Sequence, residues 1–264
     1  LMSHAKLGKS MVKEFEKHSK PDVILLAFPP ISLAYEVSYW AKKNNLPLVM
    51  DIIDPWPDLF EREVPSWASA FLRPVFTLPK QRVKATLRKI TKLTSISNQY
   101  LSWANQYFSV SKKECLYPAA DYEAIQTYLK NSKPLDLPEK KLNIIYAGSL
   151  ASSYDIDTIL VAAHQLSDYE DIHFFIAGAG PQERKIETYI ENHGNLTYLG
   201  RLAKVELMRY YAHCDLGMTQ HIKGATQSVT YKLFDLLSAG LPILNSLESE
   251  MKDIIVNNKV GLHN

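Results

Sequence analysis

Short apolar runs alternate with helix-like segments along most of the chain, and no other feature limits the fold as strongly. In the first half the runs occupy 22–28, 48–53 and 94–96, and helices are expected at 31–44 and 98–107. Continuous apolar strands that alternate with helices are typical of parallel sheets covered on both faces. The sequence therefore predicts an α/β fold.

The segment 131–140, NSKPLDLPEK, divides the chain, because two prolines and several charges are typical of a linker. After it the pattern restarts, with strands expected at 142–146, 172–177, 196–199, 216–219 and 243–244 and helices at 155–166, 182–193, 203–213, 229–238 and 248–256. We therefore expect two Rossmann-like domains with parallel sheets, 1–135 and 136–264. A ligand is expected in the cleft at the carboxyl ends of the strands.

Composition and cysteine usage are typical of a globular cytoplasmic protein. The hydrophobic fraction is 46%, and no apolar run approaches the roughly 20 residues of a membrane span. Cys115 and Cys214 form neither a metal motif nor a redox motif, so we expect reduced thiols.

The stretch 215–244 predicts a phosphate site. It is expected to form a strand, a polar loop, a helix, a turn and a second strand, with the helix beginning near Gln227 and Ser228. The N-terminus of a helix offers free N–H groups and the positive end of a dipole, which bind phosphate. Lys232 and Asp235 add a cation for a diphosphate and a carboxylate for ribose hydroxyls. This combination predicts nucleotide binding.

Glycines follow two predicted strands of the second domain, where backbone N–H groups are possible phosphate contacts. Gly148 and Ser149 follow the first strand, where backbone N–H groups can approach a phosphate; the alternative is an ordinary strand-to-helix turn. Gly178 and Gly180 resemble the start of a dinucleotide fingerprint, but its third glycine is replaced by Glu183. The sequence therefore does not predict NAD binding.

Two groups of acidic residues have different expected roles. Asp155 and Asp157 match an acid-x-acid pattern that holds a metal in one class of sugar transferases, but they open a helix, where Asp is a favoured cap. We expect caps and no metal site. Asp51 and Asp54 close a buried strand of the first domain and are expected to have a functional role, because such strand ends line a cleft. The alternative is a capped turn that packs Trp56.

The window 64–113 contains nine basic residues and no acidic residue. A solvated basic helix is one explanation, and a patch for anionic membrane lipid or a phosphate-bearing acceptor is the other. Nucleic acid is not expected, because no recognition module is visible. The basic residues are Arg73, Lys80, Arg82, Lys84, Arg88, Lys89, Lys92, Lys112 and Lys113, with the apolar residues Trp67, Phe71, Leu72, Phe76 and Leu78 among them.

Several segments together resemble the retaining glycosyltransferases of the GT-B fold, family four. Those in the second domain are 146–150 with 157–160, 175–181 with 198–201, and 231–235 with 239–242. In the first domain, 21–23 and 51–58 resemble the subgroup that builds bacterial surface polysaccharides. The resemblance covers most of 21–264.

The resemblance implies an enzyme that moves a sugar from a nucleotide diphosphate, with a UDP-sugar favoured, to a hydroxyl of a lipid-linked glycan, with retention. No cofactor and no metal are implied, and the enzyme would work in the cytoplasm, peripherally on the inner face of the cell membrane. The expected catalytic residues are Asp51, Asp54 and Gln227. The expected substrate-binding residues are Gly148, Ser149, Arg201, Leu202, Gln227, Ser228, Val229, Lys232 and Asp235.

Departures from the family pattern keep two alternatives open. The family has two glutamates eight positions apart, and these positions hold Gln227 and Asp235 here; its usual basic pair falls on Ser149 and Tyr154. A non-catalytic partner subunit that keeps the fold is one alternative, and a sugar-nucleotide epimerase of the same fold is the other. The resemblance also leads us to expect a chain truncated at both ends, without the family's first strand and closing helices.

Overall fold

The computed structural model describes residues 2–62, 64–131, 135 and 142–264. The chain divides into two compact units, residues 1–117 and 118–264. Each unit has its own parallel sheet and its own hydrophobic core. The predicted α/β fold with two parallel sheets is confirmed.

The first unit contains a four-stranded parallel sheet in the order β1-β2-β3-β4. Its core forms where apolar side chains of β1 and β2 meet α2 and α5, as at Phe28, Ile52 and Val37. Its strands are β1 (Ile24–Phe28), β2 (Leu48–Ile52), β3 (Lys92–Ser95) and β4 (Lys113–Cys115), and its helices are α1 (Met2–Phe15), α2 (Ile31–Lys43), α3 (Asp58–Arg62), α4 (Ser66–Leu87) and α5 (Asn98–Tyr107).

The second unit contains a six-stranded parallel sheet in the order β10-β9-β8-β5-β6-β7. The strand order reverses at β5, and such a switch point opens a ligand crevice at the carboxyl ends of the strands. The strands are β5 (Leu142–Ala147), β6 (Ile172–Ala177), β7 (Leu196–Gly200), β8 (Leu216–Thr219), β9 (Ile243–Asn245) and β10 (Gly261–His263). The helices are α6 (Tyr122–Asn131), α7 (Ile156–Gln165), α8 (Glu183–Ile190), α9 (Lys204–His213), α10 (Tyr231–Ser238) and α11 (Glu250–Asn257).

The division between the units falls after Tyr117, whereas the sequence predicted a boundary after residue 135. The predicted linker 131–140 lies outside the described residues except at its first and fifth positions. Helix α6 belongs to the second unit, because Ile125 is buried in that unit's core and Gln126 Nε2 donates to the Ser238 carbonyl oxygen at 2.8 Å.

Helix α10 begins at Tyr231, two residues after the predicted start at 229. Thr230 is its N-cap in extended conformation, with φ −105° and ψ 147°. Lys232 therefore lies in the first turn of α10. Within the described residues, no helix combines the length and the apolar character of a membrane-spanning segment.

Candidate functional site

A cavity of about 350 Å³ opens at the carboxyl ends of β5, β6 and β7. Gly148 and Ser149 line it after β5, and Arg201 and Leu202 line it after β7. The structure thus brings together four of the predicted substrate-binding residues, at the switch point where a ligand is expected.

Glycine is required where the turns after β5 and β6 approach each other. A Cβ on Gly178 would lie 1.9 Å from the carbonyl oxygen of Gly148. A Cβ on Gly148 would lie 2.6 Å from the ammonium nitrogen of Lys232. Because Gly148 has no side chain, the backbone of the turn after β5 and the Lys232 ammonium border the same space. A glycine turn with accessible backbone N–H groups next to a cation favours binding of an anionic ligand.

Two tyrosine rings hold the ammonium of Lys232. Its Nζ atom lies 4.4 Å from the ring centroids of both Tyr146 and Tyr154, and 3.4 Å from the Tyr146 hydroxyl. The Tyr146 hydroxyl in turn donates to the carbonyl oxygen of Ser149 at 2.8 Å, which fixes the turn after β5. Tyr154 occupies one of the two positions where the related enzymes were expected to carry a basic residue, and here it supports the lysine instead.

No carboxylate in the described part of the chain forms an ion pair with Lys232. The side chain as a whole is only partly buried, but its ammonium is enclosed by the rings, and this burial lowers the pKa of Lys232 to about 7. Cation–π contacts only partly replace the lost hydration of an ammonium. An anion that enters the cavity would provide the missing partner.

Asp235 lies three residues after Lys232, on the same side of α10. Its carboxylate is partly exposed and has a long ion pair with Lys204, at 3.8 Å. It is therefore available as a hydrogen-bond acceptor for a ligand. Val229, in contrast, was predicted to bind substrate, but its side chain is buried in the core of the second unit. Only its backbone remains for such a contact.

The predicted residues Gln227 and Ser228 lie in the loop before α10. Gln227 Oε1 and Ser228 Oγ are buried and have no hydrogen-bond partner. Gln220 Oε1 and His221 Nε2, at the start of the same loop, are in the same condition. Sequence reasoning did not identify Gln220 or His221, because only the packed structure shows that a polar atom is buried without a partner.

The predicted acidic segment 51–58 begins inside β2, which contains Asp51, and continues into the loop with Asp54. Asp51 accepts a hydrogen bond from Thr94 Oγ1 at 2.6 Å. Burial raises the pKa of Asp54. Asp58 accepts from Trp103 Nε1 at 2.8 Å and from the Tyr107 hydroxyl.

Asp58 also pairs with Lys80 at 3.2 Å. Burial alone would raise the pKa of Asp58, but these hydrogen bonds and the lysine hold it below its usual value. Asp58 therefore stabilises the loop that follows β2 and carries Asp54. The catalytic roles of Asp51, Asp54 and Gln227 remain predictions.

The first residue of the acid-x-acid pair caps a helix, as predicted. Asp155 is the N-cap of α7 and accepts from the Thr158 backbone N–H at 3.0 Å. Asp157 forms an ion pair with Lys185 at 2.6 Å. Among the described residues, no three His, Cys, Asp or Glu side chains are grouped so that they could hold a metal ion.

The window 64–113 contains the long helix α4, strand β3 and helix α5. Acids outside the window neutralise part of its charge, since Lys80 pairs with Asp58 and Glu61, and Lys92 pairs with Glu114 at 2.5 Å. The expectation of uncompensated charge therefore fails at these two lysines. What α4 does expose is a row of apolar side chains: Trp67, Phe71, Val75 and Leu78.

Residues 128–263, just over half of the sequence, match the family described as Glycosyl transferases group 1. The chain belongs to this family. The matched region contains the cavity, Lys232 and Asp235. No curated protein matches the sequence.

Solved structures with a similar fold include enzymes that act on sugars, among them a putative UDP-N-acetylglucosamine 2-epimerase from Listeria monocytogenes, with a TM-score of 0.56 at 10% identity over 96% of this chain and 64% of that one. Anabaena HepE in complex with UDP superposes with a TM-score of 0.68 at 11% identity, over 98% of this chain and 68% of that one. Sucrose-phosphate synthase from Thermosynechococcus elongatus gives 0.70 at 14%, over 98% and 64%. The catalytic domain of starch synthase IV from Arabidopsis thaliana, bound to ADP and acarbose, gives 0.61 at 13%, over 95% and 62%.

At such low identity the likeness shows the fold alone, and the predicted GT-B fold is confirmed. The chain spans 62% to 68% of the length of these four proteins.

Proposed function

We propose that this chain is the donor-binding and acceptor-binding part of a glycosyltransferase that uses a nucleotide-diphosphate sugar, with a UDP-sugar favoured. The observation that carries the proposal is the Lys232 ammonium. It borders the glycine turn of the cavity and has no carboxylate partner among the described residues. A diphosphate supplies the charge that this arrangement lacks. The UDP bound to Anabaena HepE is consistent with such a ligand.

The proposed donor complex assigns one part of the nucleotide to each part of the site. The diphosphate lies at the turn after β5 and beside Lys232, and the ribose hydroxyls donate to Asp235. The base lies near Arg201 and Leu202, which line the cavity on the side of β7. Hydrogen-bond donors and cations already in place where the leaving diphosphate gains charge are the usual source of electrostatic catalysis.

The acceptor is proposed to be a hydroxyl of a lipid-linked glycan in bacterial surface polysaccharide synthesis, with retention at the anomeric carbon. Support comes from the resemblance of the Asp51–Asp58 loop to that subgroup. No protein nucleophile is invoked, since the leaving diphosphate assists deprotonation of the acceptor on the same face. Asp51 and Asp54 are the proposed acceptor-side residues, and Gln227 is the proposed neighbour of the transferred sugar.

Helix α4 is proposed to place the protein on the cytoplasmic face of an anionic membrane. The spacing of Trp67, Phe71, Val75 and Leu78 puts all four side chains on one face of the helix. Trp67 is 80% exposed and Phe71 is 83% exposed. The same spacing puts Arg73 on the opposite face, and an exposed apolar stripe opposed by a basic polar face is the pattern of a helix that lies in the membrane interface.

One specific observation favours a second candidate, a non-catalytic partner subunit. Gln227 stands where the family has the first of its two glutamates, so that charge is lost beside the sugar. Such a subunit would bind nucleotide without turning over a donor.

Nucleotide binding by the chain as it stands tests the proposal. We expect UDP-sugars to raise the melting temperature and Lys232→Met to abolish this shift, since a ligand at about 100 times its Kd adds roughly 2.7 kcal/mol of stability. Lys185→Met is the matched control, because Lys185 pairs with Asp157 on the surface of the same unit. No shift with any UDP-, ADP- or GDP-sugar would reject the proposal. Interconversion of the sugar without an acceptor would assign the epimerase instead.

A further inference from the structure

The loop between β8 and α10 holds an unusual group of buried polar atoms. Gln220, His221 and Ser228 are each at least 98% buried, and Gln220 Oε1, His221 Nε2 and Ser228 Oγ have no hydrogen-bond partner. The same is true of the side-chain oxygen of Gln227. Buried polar atoms in native proteins are nearly always hydrogen-bonded to protein, water or ligand. These atoms are therefore expected to form hydrogen bonds with a ligand.

The backbone of His221 is fixed on both sides. Its N–H donates to Ser246 Oγ at 2.8 Å, and the same hydroxyl donates to the His221 carbonyl oxygen at 3.0 Å. The next residue, Ile222, donates its N–H to the carbonyl oxygen of Ser153 at 3.2 Å. The imidazole is therefore held in place by the fold before any ligand arrives, as a recognition residue requires.

The hydrogen bonding of the ring determines what it can bind. His221 Nδ1 lies 3.2 Å from the carbonyl oxygen of Thr219. A carbonyl oxygen only accepts, so Nδ1 carries the proton and the neutral ring presents a lone pair at Nε2. Burial, aided by the charge of Lys232, lowers the pKa of His221 to about 4, which keeps the ring neutral. Nε2 therefore needs a donor, and a phosphate oxygen cannot serve.

The ring lies close to the proposed diphosphate position. Its centroid is 4.9 Å from that of Tyr154, and the Tyr154 ring is 4.4 Å from the Lys232 ammonium. The ammonium in turn borders Gly148 in the wall of the cavity. One aromatic ring thus separates His221 from the cation. In a nucleotide-diphosphate sugar, the group attached beyond the diphosphate is the sugar, which is rich in hydroxyl donors.

We propose that His221 determines specificity for the donor sugar, by accepting at Nε2 a hydrogen bond from one hydroxyl of the transferred group. This inference rests on the proposed function. It predicts that a donor lacking that hydroxyl leaves the lone pair buried without a partner and binds less well.

The test distinguishes the contribution of the sugar to binding affinity from that of the nucleotide. Calorimetry on the whole chain compares UDP with whichever of UDP-glucose, UDP-galactose and UDP-N-acetylglucosamine binds tightest, and then with the monodeoxy forms of that donor. We expect wild type to lose about tenfold in affinity for one deoxy donor, the effect of one hydrogen bond. His221→Phe keeps a ring against Tyr154 but has no acceptor, so it should bind the full and the deoxy donor equally and bind UDP as wild type does.

Further variants keep the result interpretable. His221→Gln places an amide oxygen near the position of Nε2 and should restore part of the discrimination, even if His221→Phe folds poorly. His193→Phe is the matched control, since His193 precedes β7 at the opposite end of the strands and stacks on Tyr189. Discrimination that persists in His221→Phe, or an equal loss for UDP and UDP-sugar, would overturn the inference while leaving the proposed function intact. Wild type that binds no UDP-, ADP- or GDP-sugar would reject both.

Discussion

At the scale of single residues, the site depends on a cation that the protein itself leaves without an opposite charge. Two aromatic rings surround the Lys232 ammonium, and its pKa falls to about 7 because of burial. A bound diphosphate would raise that pKa again, because an opposite charge at close range favours the charged form. Binding of the nucleotide is thereby linked to protonation of one lysine.

This linkage predicts a defined pH dependence. Below pH 7 the lysine is already protonated, so affinity should not change; above pH 7 binding requires proton uptake, and affinity should fall by up to about tenfold per pH unit. Calorimetry with UDP-glucose, whose diphosphate stays fully ionised, measures it. Lys232→Arg stays charged and should remove the slope, while Lys185→Met should keep it. A flat profile for wild type would contradict the assignment.

Asp235 supplies the second residue-scale prediction. Its carboxylate is engaged only by a long ion pair with Lys204, so a ribose can take it as an acceptor. Asp235→Ala should weaken binding of UDP by about 1–3 kcal/mol, the range for a hydrogen bond to a charged group. Isothermal calorimetry checks the value, with Asp253→Ala on the exposed side of α11 as the control. Equal affinity in wild type and Asp235→Ala would remove Asp235 from the nucleotide site.

Several residues of the site could be predicted from sequence, and others could not. Gly148, Ser149, Arg201 and Leu202 follow apolar strands, and parallel strands bring their carboxyl ends to one edge. The alternation of strands and helices in the sequence is therefore enough to predict that these four residues lie close together. The unpaired acceptor of His221, in contrast, exists only because the loop after β8 folds back on β9 through Ser246. No local pattern in the sequence encodes that contact.

At the scale of elements, a strong apolar pattern in the sequence is sufficient to predict the bounds of a strand, and a weak pattern is not. β6 (Ile172–Ala177) and β8 (Leu216–Thr219) have the predicted bounds, because each is a short, largely apolar run between two helices. β4 (Lys113–Cys115) was missed, since it is a short, largely exposed edge strand defined by backbone pairing with β3. The start of α10 was misplaced, because Thr230 stays extended in a loop anchored elsewhere in the fold.

Helix α4 gives a prediction at this scale. Since Lys80 and Lys92 are engaged by acids, the apolar stripe should contribute more to membrane binding than the charge count suggested. Trp67→Ser combined with Phe71→Ser should abolish flotation with anionic liposomes, because interfacial binding scales with buried apolar area. Arg73→Ser should weaken it only at low salt, since the Debye length shrinks to roughly 3 Å at 1 M salt.

The control for this experiment is Val161→Ser, which removes an exposed apolar side chain from α7 in the other unit. It should float as wild type does. Equal flotation with neutral and anionic vesicles would mean that the basic residues play no part. Flotation that survives loss of both Trp67 and Phe71 would leave α4 as a solvated helix.

At the scale of the whole molecule, the two units have separate hydrophobic cores, and the residues proposed for the two substrates are divided between them. The residues proposed to hold the nucleotide all lie in the second unit, and the carboxylates proposed for the acceptor lie in the first. The glycosyl transferases group 1 match covers the second unit almost entirely and only that unit. Donor binding is therefore the part of the function that this chain supports most directly.

The last prediction is that donor binding needs no divalent metal. In metal-dependent sugar transferases a cation offsets the charge of the diphosphate, whereas here Lys232 and the glycine turns are available for that purpose. Asp155 and Asp157, which match a metal-binding pattern, are engaged as a helix cap and in an ion pair with Lys185. Calorimetric affinity for UDP-glucose should be the same in excess EDTA as in Mg²⁺ or Mn²⁺. The opposite result would be that EDTA abolishes binding and that Mg²⁺ or Mn²⁺ restores it. If Asp157→Asn then prevents this restoration, the acid-x-acid pair holds a metal.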